Sequence, residues 1–293
     1  MKTVTLFLLA VSSFYAAHIS SYTAHSPVCS GDTAVIRSFI LDGTYMQLSV
    51  NVHTLKASIT PQVKTPQWNP CKDSNYTRLL KHAASAPYPL TNDGITHQSG
   101  KGVAITTDLC PSSKKGFEKQ LYETLITHFK NPVPVTLFIS GKWIRHHASA
   151  FHQFQTWEHE KKLAITWGNH TYAHPYHPGK PNKHNFALTP GYDLRADTLR
   201  LEKQLIEAGI TPSVFFRFPG LVSDRETIKT IRDLGLIPIG TDAWIAKGQK
   251  PREGSIILLH GNRNEPKGVK MFEEMIKKKQ IKHIVPLLND RDR

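Results

Sequence analysis

Apolar and polar residues alternate over Thr33–Ile40 and Tyr45–His53, the two-residue period of strands with one buried face. A polar segment dotted with prolines follows, from Thr60 to Pro89. Beyond Gly102 the rhythm changes, and short apolar runs take turns with stretches of helical period. Val103–Thr107, Val135–Ile139, Leu163–Trp167, Val214–Phe216, Ile237–Gly240 and Ser255–Leu259 read as strands. Lys114–Lys130 reads as a helix with Phe117, Leu121, Leu125 and Phe129 on one face, and His152–Lys161 as a weaker one. Leu194–Ala208 forms a helix closed by Gly209. Ser223 and Glu226 make the capping-box pattern for a helix ending near Leu234 and Gly235. Lys270–Gln280 is the last long helix, ahead of the apolar run Ile284–Leu288. Strand–helix alternation predicts an α/β fold with a parallel sheet, open or closed into a barrel.

The N-terminal residues add a different element. Lys2 precedes the mostly apolar stretch Val4–Ala17, which is too short for the roughly 20 residues a membrane-spanning helix needs. This predicts an export signal over 1–24, hence a periplasmic or secreted protein, and no other run is long enough for a transmembrane segment. Residues 25–100 read as an N-terminal extension packed onto a catalytic domain of 101–293. Of the three cysteines, Cys29 and Cys71 flank the same region and are expected to pair, leaving Cys110 free. Lys and Arg number 37 against 23 Asp and Glu, a net charge of +14. That balance suits an acidic polymer, while the lack of an arginine-rich helix or a nucleic-acid motif speaks against nucleic acid.

Candidate chemistry sits at the ends of the predicted strands. Asp108, His170 with His174, Arg217, Asp242 and His260 each follow a different strand. Parallel α/β folds build their active sites at that end. The i, i+4 spacing of His170 and His174 would place both imidazoles on one face of a helical turn, able to share a metal. Asp108 is the natural general base, kept ionised by a bidentate pair with Arg217. His260 would protonate a leaving amine, with Asp242 keeping that imidazole charged and oriented.

At this point the sequence resembles the polysaccharide deacetylase family, carbohydrate esterase family four, over about Gly102 to Leu288. The motifs are Thr106-Thr107-Asp108-Leu109-Cys110-Pro111, His170-Thr171-Tyr172-Ala173-His174-Pro175, Arg217-Phe218-Pro219-Gly220, Asp242-Ala243-Trp244 and Ile256–His260. The resemblance implies a distorted (β/α) barrel of seven strands and one divalent metal, commonly zinc. It also implies hydrolysis of an acetamide on a sugar of a polysaccharide or peptidoglycan-like polymer. By position it gives Asp108 as base, His170 and His174 as metal ligands, Arg217 as the residue orienting the base, and His260 as acid tuned by Asp242. Trp244, Leu258 and Pro219 would line the acetyl-binding site. One departure stands out: Leu109 occupies the place of the family's third metal ligand. Asp108 or a water, His177, or Cys110 with its softer sulfur are the alternatives for that ligand. A catalytically weak or inactive carbohydrate-binding protein and an O-acetyl esterase are the alternative functions.

Overall fold

The computed structural model describes residues 17–62 and 69–288; the apolar stretch from Val4, but for Ala17, lies outside the described residues. The chain opens with an antiparallel sheet of β1 (Ile19–Ser30), β2 (Thr33–Leu41), β3 (Thr44–Asn51), β4 (Ala57–Pro61) and β5 (Asn69–Pro70), in the order β4-β3-β2-β1-β5. Its burial departs from the two-residue alternation that the sequence predicts: Ala34–Arg37 of β2 and Gln47–Val50 of β3 are buried without a break. A disulfide joins Cys29 to Cys71, and Cys110 is free and buried. Helix α1 (Asn75–Ala83) follows.

The second sheet holds β6 (Ala104–Leu109), β7 (Val133–Ile139), β8 (Leu163–Asn169), β9 (Phe215–Phe216), β10 (Ile237–Pro238), β11 (Ala243–Trp244) and β12 (Ile256–His260). All its pairings are parallel, in the order β10-β9-β8-β7-β6-β12-β11. Around it lie α2 (Lys119–His128), α3 (Gly141–His146), α4 (Ala148–His159), α5 (Leu194–Glu207), α6 (Arg225–Asp233) and α7 (Pro266–Lys277). The sheet curls into a seven-stranded half-barrel, so the expected distorted (β/α) barrel with its N-terminal sheet is what the chain forms. The segment leading into β6 spans the open side: Ile95 pairs with Ile239 beyond β10, and His97 pairs with Ser255 beside β12.

Several boundaries differ from the sequence reading. Helix α2 starts at Lys119, not Lys114, because the chain turns at Gly116 with φ +75°. The helix expected from His152 starts at Ala148 and is preceded by α3, whose Trp143 and Ile144 are buried. The capping box lies one residue later than predicted. Asp224 accepts from the Thr227 backbone and Thr227 returns the bond, while Ser223 is buried and makes no cap. The apolar run Ile284–Leu288 joins the fold through a bridge from Ile284 to Val103.

The antiparallel sheet packs against the entry end of the barrel. Ile36, Phe39, Leu48 and Val50 form one core with Ala104, Phe215, Ile237 and Ile256, the first residues of four parallel strands. Within that interface Arg37 is fully buried and forks onto Glu202 of α5, with Nε–Oε2 at 2.7 Å and Nη2–Oε1 at 2.8 Å. The remaining guanidinium donor bonds to the carbonyls of Ile36 and Leu234. The antiparallel sheet thereby covers much of the entry end, and the strand exits are left for chemistry.

Candidate active site

The alternation of strand side chains decides what reaches the exit end. On β6, Ile105 and Leu109 join the core beneath the helices, and Thr107 bonds to Tyr122 of α2. Thr106 and Asp108 face the other way and meet Arg217. Leu109 therefore points into the core, with no exposed surface, and Cys110 returns to the Asp108 side two residues on. On β12 the same alternation turns Leu258 and His260 inward, and His260 pairs in register with Asp108 on the neighbouring strand.

Arg217 is fully buried and every arm is engaged. Nη1 donates to Asp108 Oδ1 at 2.8 Å and to Thr106 Oγ1 at 2.7 Å, Nη2 to the Gly240 carbonyl, and Nε to the Ile239 carbonyl. The expected bidentate pair with Asp108 is thus a single contact, because the second arm serves the loop after β10. The other oxygen, Oδ2, lies 3.8 Å from His170 Nε2. Burial raises the pKa of Asp108, but the charges of Arg217, His170 and His260 outweigh it and hold the carboxyl below its ordinary value.

His170 and His174 come together without a helix. The segment from His170 is irregular, and Thr171 and His174 both take the left-handed conformation, with φ of +64° and +44°. That backbone is costly for non-glycine residues, and such outliers gather at functional sites. Asn169 steadies the turn by accepting from the Thr171 N–H and donating to the Thr198 carbonyl. The two imidazoles stand edge to face, 4.6 Å between centroids.

Cys110 completes this pair. Its Sγ lies 3.5 Å from His170 Nε2, and the donor atoms of Cys110, His170 and His174 all fall within 4.8 Å of one another. Tetrahedral zinc bond lengths place a sulfur and a nitrogen ligand about 3.6 Å apart. The Nδ1 of His170 is occupied by the Arg217 carbonyl at 2.8 Å, which directs Nε2 inward as a lone-pair donor. His174 Nε2 is buried with no hydrogen-bond partner. An orphaned nitrogen beside a second oriented imidazole and a buried thiol fits a divalent cation of zinc type. Burial raises the Cys110 pKa, but His174 and His170 overcome it and bring the thiol well below its usual range. His170 is raised in turn by Asp108 and Cys110 against a larger effect of burial. A metal arriving there must displace that proton. His177, the other alternative for the third ligand, is bonded through its backbone to Asn185 and does not join the group.

His260 is almost buried, and its Nδ1 lies 2.7 Å from Glu265 Oε2. The approach is oblique, an ion-pair contact more than an in-line hydrogen bond. Burial lowers the His260 pKa, but Cys110, Glu265 and the charge of Asp108 raise it well above its ordinary value. Asp242, expected at this imidazole, is engaged elsewhere. Its Oδ2 meets His97 Nδ1 at 2.8 Å and the Ser255 hydroxyl, and its Oδ1 accepts from the Ile256 N–H. Asp242 immediately precedes the edge strand β11, and the segment that crosses the open side of the barrel brings His97 to it. Spacing alone did not reveal Glu265; its only signal was an acid just ahead of the helix-starting Pro266.

A cleft of about 660 Å³ opens onto this group. Cys110, His174, Trp244 and His260 line it, with Tyr176 and Phe186 stacked at 5.3 Å near its rim. Trp244 is on the wall as predicted. Leu258 and Pro219 are buried and do not line the cleft, although Gly220 beside Pro219 does.

The polysaccharide deacetylase family model matches residues 96–239. A family 4 carbohydrate esterase from Bacillus anthracis is similar in fold, with a TM-score of 0.50 at 17% identity, over 73% of this chain and 90% of that one. PdaA of Bacillus subtilis, also a family 4 carbohydrate esterase, aligns over 82% of this chain and 91% of its own at 15% identity and a TM-score of 0.48. A family 4 pseudoenzyme from Bacillus anthracis aligns over 69% and 70% at 18% identity and 0.45. Residues 96–239, the stretch that supplies Asp108, Cys110, both histidines and Arg217, thus belong to the polysaccharide deacetylase family.

Proposed function

We propose that the protein is an exported N-deacetylase that removes acetyl groups from amino sugars of an acetylated polysaccharide or peptidoglycan-like polymer. The observation that carries this reading is the cluster of Asp108, Cys110, His170, His174 and His260 at the exit of one parallel sheet, of which Cys110, His174 and His260 line one cleft while Asp108 and His170 are buried behind them. Cys110, His170 and His174 would hold one divalent metal, zinc by the chemistry of the donor set. Such a cation supplies Lewis-acid polarisation of the acyl oxygen.

The rest of the chemistry belongs to the chain. Asp108, ionised by Arg217, takes a proton from the attacking water through Oδ2. The water oxygen bonds to the acetyl carbon. As the carbon–nitrogen bond breaks, His260 gives its proton to the nitrogen, releasing acetate and a free amine. The raised pKa of His260 suits a proton donor at neutral pH, and the lowered pKa of Asp108 suits an acceptor. Trp244 forms the apolar wall against which an acetyl methyl group or a sugar face can rest.

Acetate release from N-acetylglucosamine oligomers and from intact peptidoglycan tests the reading, before and after chelation and with zinc restored. Release that chelation abolishes and zinc restores is the expected result. Silence on every acetylated sugar, with zinc bound, would turn the reading towards a carbohydrate-binding protein. Turnover of acetyl esters alone would make it an O-acetyl esterase.

A further inference from the structure

Glu265 touches two residues of the cleft and is bound by neither the helix nor the core. It immediately precedes α7, and its side chain makes no cap bond to that helix. The same oxygen, Oε2, lies 2.7 Å from His260 Nδ1 and accepts from Trp244 Nε1 at 2.9 Å. The Trp244 and His260 rings stand 5.9 Å apart, so one carboxylate fixes both the proton donor and the aromatic wall. The loop that carries Glu265 is itself anchored. Asn262, fully buried, donates to the Cys110 carbonyl at 2.9 Å and accepts from the Asn264 N–H. The alternative carboxylate, Asp242, is committed to His97, Ser255 and Ile256.

We propose that Glu265 is the positioning residue of His260. The proposal rests on the reading of His260 as the proton donor. A carboxylate against Nδ1 keeps one hydrogen there and stabilises the imidazolium, which turns Nε2–H towards the scissile nitrogen. In the step, the Nε2–H bond breaks as the nitrogen–hydrogen bond of the leaving amine forms. The hydrogen on Nδ1 stays with the ring, facing Glu265. The resemblance implies Asp242, just ahead of the strand of Trp244, for this carboxylate; here it comes from the loop after β12.

The test compares wild type, Glu265→Gln and Glu265→Asp on an N-acetylglucosamine oligomer and on 4-nitrophenyl acetate. An amine must be protonated to leave and nitrophenolate need not be, so loss of a positioned acid separates the two substrates. Glu265→Gln should lower kcat on the oligomer about 30-fold, with KM within about twofold and ester hydrolysis within about threefold. Glu265→Asp should recover part of the oligomer rate, and bound metal should be equal in all three. Equal losses on both substrates, or an unchanged oligomer rate, would overturn the proposal. Nitrogen NMR of the His260 ring, recorded with the ring neutral, adds a readout that needs no turnover. Wild type should hold the hydrogen on Nδ1, and Glu265→Gln should show mixed tautomers; an unchanged tautomer overturns the proposal. If wild type releases no acetate from any sugar, the deacetylase reading falls separately, and the ring spectra still decide what Glu265 does.

Discussion

Replacing Arg217 with methionine removes a fully buried guanidinium and leaves Asp108 without its one charged hydrogen-bond donor. The Gly240 and Ile239 carbonyls and the Thr106 hydroxyl lose donors as well. Breaking a buried ion pair from one side costs about 4 kcal/mol, since the partner charge is stranded away from water. For a chain of this size that corresponds to a fall in Tm of roughly 10 °C. The measurement is thermal and urea unfolding of wild type, Arg217→Met, Asp108→Asn and the double variant, all metal-free at pH 7. If the stranded carboxylate causes the loss, the double variant falls short of the summed single losses by at least about 1.5 kcal/mol. The pH dependence follows from the same pair. Asp108 is held below its ordinary value in the folded state, so its contribution is present above the unfolded pKa, near 3.9, and is lost as pH falls through the folded one. In Arg217→Met the stranded carboxyl can protonate, so the gap to wild type should narrow as pH drops from 7 towards about 4. Losses that add to within about 0.5 kcal/mol, with a gap independent of pH, would refute the account.

Cys110→Ala should lower zinc affinity about 100-fold, since the binding energy of a structural zinc shared among its ligands is about 3 kcal/mol each. Metal content after dialysis checks it, and full occupancy in the variant would remove Cys110 from the ligand set. In alkali, Tyr22, Tyr76, Tyr122 and Tyr192 all resist ionisation, chiefly through burial. Their folded pKa values lie above the unfolded value near 10, so stability is intact below that pH and should decline above it. Unfolding midpoints from pH 8 to 11 check this, and a flat profile would contradict it.

The parallel sheet could be read from period alone, because its buried strands are continuous apolar runs and its ionisable residues sit at the exits. Asp108, His170, His174, Arg217 and His260 all reach one place for that reason. Directions were harder to read. Leu109 stands where the motif pattern has a donor, yet strand alternation sends it to the core and brings Cys110 round in its stead. The two histidines meet through left-handed turns at Thr171 and His174, which no i, i+4 rule anticipates. Asp242 stood at the right strand end, but the crossing segment delivers His97 to it, a contact 145 residues apart in sequence. The capping box slipped by one residue because Ser223-x-x-Glu226 and Asp224-x-x-Thr227 overlap, and burial of Ser223 decides between them.

The Arg37–Glu202 fork sets a limit on portability. A shortened chain beginning at residue 96, where the family match begins, would keep Asp108, Cys110, both histidines, Arg217 and His260. It would also keep Glu202 and the apolar entry end formed by Ile206, Val214, Phe215 and Ile237, stripped of the sheet that covers them. The carboxylate would lose both guanidinium bonds, and the uncovered apolar face would favour self-association over a discrete fold. The proposed catalytic residues are therefore not a cassette. Excision or transplantation has to carry the antiparallel sheet with it, and screening shortened chains for solubility before activity would separate a missing lid on the barrel floor from a missing catalyst.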